Sequence, residues 1–168
     1  MRYTPAALAL SLLVAVTSSA SYSAAPETLD PRAVVLVEDG RKQLDGGNVD
    51  AAIDAYEAAL AVSPGSTAVY LGLAEATRKQ GMQGKALHYY REALEGDPQN
   101  LKALAGEGAA LVEKGAVDKA KRNLTRLQGL CGETCTEARE LAAAIARGPS
   151  PKVVTAAAIT PEPVVSEN

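Results

Sequence analysis

Apolar residues recur along this chain at helical spacing, and between residues 33 and 134 the recurrence itself repeats. Ala52, Tyr56, Ala59 and Leu60 stand at i, i+4, i+7 and i+8, which is one face of a helix. Thirty-four residues on, Ala86, Tyr90 and Ala93 take the same places, and one period later Ala120, Leu124 and Leu127 do. Gly47, Gly81 and Gly115 fall in the same register, and three copies run without an insertion. Such self-similarity marks units that bury their apolar faces only against their neighbours. The units are 33–66, 67–100 and 101–134.

Capping and breaking residues divide each unit into two helices. Asp30 is a good N-cap, and Pro31 suits the first helical position because its missing N–H has no intrahelical partner there. The pattern predicts helices over about 32–45 and 49–62, 66–80 and 84–95, then 100–114 and 117–130. Gly46-Gly47 closes the first, Asn48 is expected to cap the second, and Ser63-Pro64-Gly65 ends it. Beyond the third unit, Ala138, Leu141, Ala142 and Ile145 continue the phase, so 135–147 is expected to be a capping helix. Gly148-Pro149 ends it, and 148–168 has no sustained helical period and is read as a disordered tail.

These residues resemble the tetratricopeptide repeat family. Tyr70, Leu73 and Ala74 match its first-helix pattern, as do Leu36 with Gly40 and Leu104 with Gly108. Ala52 with Tyr56 and Ala86 with Tyr90 match the second helix, and Pro64 and Pro98 the unit ends. Asp39 and Glu107 stand where Leu is usual, and Gly132 replaces the third Pro. A carboxylate buried unpaired at a helix crossing is costly, so both acids are expected to face solvent or find partners.

The resemblance implies an all-α fold, a right-handed α-solenoid of three helix-turn-helix units plus a C-terminal capping helix. It also implies a concave groove that holds a protein or peptide partner. Val37, Arg41 and Leu44 of the first unit are expected there, with Leu71, Glu75, Arg78 and Lys79 of the second and Lys102 and Val112 of the third. Chaperone-binding relatives hold a C-terminal carboxylate with a Lys/Asn/Arg set. Val37, Arg41, Gly72 and Gly106 occupy those places here, and only Lys102 fits.

Composition narrows the picture. Phe and Trp are absent from 168 residues, which points to a core of small residues rather than aromatic anchors. The net charge of -3 gives no electrostatic reason for a nucleic-acid or anionic-membrane partner. Met1-Arg2, the apolar run Ala6 to Val16 and the small, polar stretch to Ala25 have the order of a secretory signal peptide, with a cut after Ala20 or near Ala24 or Ala25. Residues 26–32 are a lead-in. The run is too short to span a bilayer, and no lipid-anchoring Cys follows it, so the expected location is periplasmic or secreted.

Outside the cytosol, Cys131 and Cys135 are first read as a disulfide that staples the capping helix; free thiols or a thiol redox factor are the alternatives. His88 is the sole histidine, so neither a Cys/His zinc site nor a Ser/His/Asp arrangement can be assembled without it, and its default place is the surface. No cofactor, metal or enzymatic activity is expected. The functional reading is a periplasmic interaction adaptor. The alternative is a structural or assembly subunit of an envelope complex such as pilus, secretion or cell-wall machinery.

Overall fold

The computed structural model describes residues 28–149. The expected leader and the tail from 150 onward lie outside them. Among the described residues seven helices follow one another: α1 Pro31–Asp45, α2 Val49–Val62, α3 Thr67–Lys79, α4 Gln83–Gly96, α5 Leu101–Glu113, α6 Val117–Cys131 and α7 Thr136–Arg147. Every end lies within a residue of its expected place, because the punctuation is chemical. Asp30 Oδ1 accepts from Arg32 N at 2.8 Å, Ser66 Oγ from Val69 N at 3.3 Å and Asn100 Oδ1 from Ala103 N at 3.0 Å. Gly47, Gly81 and Gly115 adopt φ of 79°, 84° and 81°, left-handed backbone that strains any other residue.

Asn48 departs from expectation. It occupies the N-cap position of α2, but its side chain makes no cap hydrogen bond and instead donates to Gln43 Oε1 at 3.1 Å. Loss of a working cap costs about 1 kcal/mol. Ser66→Ala is therefore expected to lower stability in urea unfolding by about that amount, and Asn48→Ala by only a few tenths.

Successive helices pack against each other along the chain, and α1 also touches α3, α3 touches α5 and α5 touches α7. The backbones of the second helices α2, α4 and α6 stay farther apart, and α2 and α4 meet through the ion pair of Glu57 with Lys85 at 3.3 Å. The closer approach of the first helices bends the stack towards them, so α1, α3, α5 and α7 form the concave side of an all-α solenoid. Ala52, Ala59, Ala86, Ala93 and Ala120 are fully buried at the crossings, where small side chains let backbones approach. Leu73, Leu104, Leu127 and Leu141 fill the space between, each contributing about 1.5–3 kcal/mol on burial.

Large aromatic anchors are nonetheless present, which corrects the reading from composition. Tyr56 and Tyr90 are 4% and 2% exposed. The Tyr56 ring lies on Gly40 of its own unit and Gly72 of the next, and the Tyr90 ring lies on Gly106. A Cβ on Gly40 would come within 2.8 Å of Tyr56 Cε1, and one on Gly72 or Gly106 would collide more severely. Each tyrosine thus reaches across a unit boundary into a site that only glycine leaves open. Among the departures from the family pattern, Asp39 is exposed and accepts from Gln43 Nε2 at 3.4 Å. The Glu107 side chain, 13% exposed, meets Arg91 Nε at 3.2 Å and Asn123 Nδ2 at 2.9 Å. The carboxylate near the crossing has found partners.

Candidate functional site: the concave groove

The concave side opens into a groove of about 640 Å³ between α3, α5 and α7. Its floor is shallow-lined because α5 presents Ala105, Gly106 and Ala109, with Tyr90 and Leu141 beneath. Leu71, Glu75 and Arg78 of α3 form one wall. The opposite wall is α7, whose Glu137, Glu140, Ala144 and Arg147 recur at helical spacing on one face while Ala138 and Leu141 are buried on another. The last helix is thus both cap and wall. That second role was missed in the sequence because its apolar phase drew attention to the buried face; the polar face carried the signal.

Of the residues expected in the groove, Leu71, Glu75, Arg78 and Lys102 come together in it. Val37 is half-buried and Arg41 exposed on α1, outside this pocket, and Lys79 is exposed outside it as well. Leu44 and Val112, 5% and 3% exposed, lie in the core instead. The reason is positional. Leu44, Arg78 and Val112 are the same register place in the three units, where the first helix turns from groove to interior. Aliphatic side chains there go in, whereas Arg78 keeps its charged end in the groove.

Arg78 Nη1 meets Glu113 Oε1 at 2.7 Å, joining the second unit to the third, and Gln83 Nε2 donates to Glu113 Oε2 at 3.5 Å. Arg78 Nε is buried without a hydrogen-bond partner among the described residues. Burial pulls the guanidinium down, but Tyr90 and Glu113 outweigh it and hold Arg78 above its ordinary value. Burial pushes the Tyr90 phenol up, and Arg78 offsets part of that rise. Glu75, Lys102, Glu137, Glu140 and Arg147 make no hydrogen bond or ion pair with another side chain among the described residues. These charges are left to meet something that enters.

Cys131 and Cys135 are disulfide-bonded with their Cα atoms 5.9 Å apart. Cys135 is the N-cap residue of α7, so the bond ties the groove wall to the end of α6. Closing so short a loop stabilises by roughly 2 kcal/mol at most. Reduction is expected to lower the thermal midpoint modestly and to raise amide exchange in α7 before the other helices, which hydrogen-exchange mass spectrometry reads directly. His88 is exposed, with Nδ1 3.7 Å from Glu92 Oε1, away from the groove. No group of His, Cys, Asp and Glu among the described residues is arranged to hold a metal ion.

A tetratricopeptide repeat family profile matches residues 38–100. No curated protein sequence matches the chain. Among solved structures, the chain is similar to the first TPR of Spaghetti (RPAP3) bound to the HSP90 peptide SRMEEVD. The two are 26% identical over 70% of this chain and 97% of that one, with a TM-score of 0.62. The Sgt2 TPR domain of Aspergillus fumigatus shares the fold at 23% identity over 79% of this chain and 95% of that one, with a TM-score of 0.64. So does the Yersinia enterocolitica type III secretion chaperone SycD, solved with a peptide of the translocator YopD. It is 20% identical over 68% of this chain and 86% of that one, with a TM-score of 0.59. With the repeat register, the interlocked units and these likenesses together, the chain carries tetratricopeptide repeats, matched by the family profile over residues 38–100, in an all-α solenoid of that fold.

Proposed function

We propose that this chain is a non-enzymatic adaptor that holds a segment of a partner protein in its concave groove, and that it works in the bacterial periplasm after removal of its leader. The observation that carries the reading is the open groove itself, lined by small apolar residues and by five charged side chains without a hydrogen-bond or ion-pair partner among the described residues. The similar RPAP3 domain, solved bound to an HSP90 peptide, supports a peptide segment as the partner. The leader-like order of residues 1–25 supports export.

The ligand differs in kind from a chaperone tail. Gly72 and Gly106 stand at two of the family's carboxylate-clamp places, and the rings of Tyr56 and Tyr90 fill the space that clamp side chains there would need. Lys102→Glu combined with Glu140→Lys reverses two exposed groove charges without touching the core. Affinity purification of the exported chain is expected to lose its partner at least about tenfold while the melting temperature is unchanged. Retained partner would contradict groove binding. The assembly-subunit reading draws on Val34 and Val35 of α1, 38% and 66% exposed among the described residues. It predicts loss of the complex with Val35→Glu instead.

A further inference from the structure

We infer that the groove takes a partner segment which places a lysine or arginine side chain between α3 and α7, over the floor of α5. This rests on the groove being the binding surface, and it names the chemistry of what binds there. Arg78 is already matched by Glu113, so it brings little unmatched positive charge. Glu75 on the α3 wall and Glu137 and Glu140 on the α7 wall have no hydrogen-bond or ion-pair partner among the described residues. Arg139, their neighbour in the chain, is not part of the lining. The unmatched charge of the groove is therefore these carboxylates against Lys102 and Arg147.

The two cations stand apart. Lys102 lies near the start of α5 and Arg147 at the end of α7, and at the helical rise their register places are about 17 Å apart along the concave layer. The register places of Glu75 and Glu140 fall between them, one on each wall, so the middle of the groove is negative on both sides. Glu140 also repeats the register place of Gly72 and Gly106, and so puts a carboxylate where the two preceding units carry no side chain. Beneath these acids the floor is Ala105, Gly106 and Ala109, with no polar side chain. Lysine and arginine carry their charge on an apolar stem, which packs on apolar surface while the head stays in a polar setting. The floor accepts the stem, and the wall carboxylates meet the head. An aliphatic side chain would leave the acids unmatched, and an acidic one would be repelled.

The probes are short capped peptides of alanine and serine that differ only in one central residue: lysine, norleucine or glutamate. Each is titrated into the isotope-labelled full chain, and the Ala105, Ala109 and Ala144 resonances report occupancy. The lysine peptide is expected to bind at least about tenfold more tightly than the glutamate peptide, with norleucine between, and the spread to shrink in about 1 M salt. Glu75→Gln with Glu140→Gln changes two exposed side chains. The pair is expected to leave the melting temperature unchanged and to bring the three peptides within about twofold of one another. Glutamate binding as tight as lysine, a lysine preference that survives in the double variant, or no groove shift with any peptide would overturn the inference. Groove shifts that follow chain concentration with no peptide present would assign the groove to a second copy and overturn it too. The adaptor test reads separately: a partner lost on charge reversal, together with a preference for the glutamate peptide, would keep the groove and refute only this chemistry.

Discussion

Tyr90→Ala is expected to lower the unfolding free energy by about 3–5 kcal/mol, measured by urea denaturation. The ring is 2% exposed and lies between the second and third units, so its removal leaves a cavity at the boundary where neighbouring units stabilise each other. Leu124 occupies the same register place in the third unit but is only half-buried, and Leu124→Ala is expected to cost clearly less, about 1–2 kcal/mol. Equal losses at the two positions would mean that the tyrosine does not interlock the units. In a solenoid the damage also has a direction. Exchange should rise first in α5, α6 and α7 if the third unit and the cap detach together.

Gly106→Ala and Gly129→Ala are expected to change stability in opposite senses. By helix propensity alone both should stabilise by about 1 kcal/mol, since each glycine lies inside a helix. At Gly129 nothing lies within 4 Å of an added Cβ, and that gain is expected in full or in part. At Gly106 the Cβ would run into the Tyr90 ring, and overpacking of this kind costs about 1–3 kcal/mol. The net expectation is a loss, read as a lower thermal midpoint. In a Tyr90→Ala background the same Gly106→Ala change should become nearly neutral or favourable, because the ring that the added Cβ would meet is gone. A loss that persists there would place the strain elsewhere.

Much of this fold was legible from periodicity because each unit writes the same instructions again. Helix ends followed Asp30, Ser66, Asn100 and the three turn glycines, each of which acts through a local hydrogen bond or backbone conformation. What was not read was the coupling between units. Counting Phe and Trp overlooked two buried tyrosines. Yet Tyr56 with Gly72 and Tyr90 with Gly106 share one spacing, and where Leu124 replaces the ring, Glu140 replaces the glycine. That paired change is visible in the sequence once a ring is expected to rest on the next unit's backbone. The groove was legible in part. Leu71, Glu75, Arg78 and Lys102 were placed by repeat register, whereas Leu44 and Val112 were not, because register fixes an angle on the helix and the side chain's polarity decides which way it turns there. The α7 wall was missed because the apolar phase of Ala138 and Leu141 marks only the buried face, whereas the groove is lined by the polar face of Glu137, Glu140 and Arg147.

The central claim, that partner binding belongs to the concave side, is tested most directly by placing a photo-crosslinking residue at single positions of the full chain in its native compartment. Ala109 and Ala143 line the groove, and Lys121 is exposed on α6, outside it. Adducts with one partner from Ala109 and Ala143, and none from Lys121, are the predicted result. The reverse pattern would contradict it.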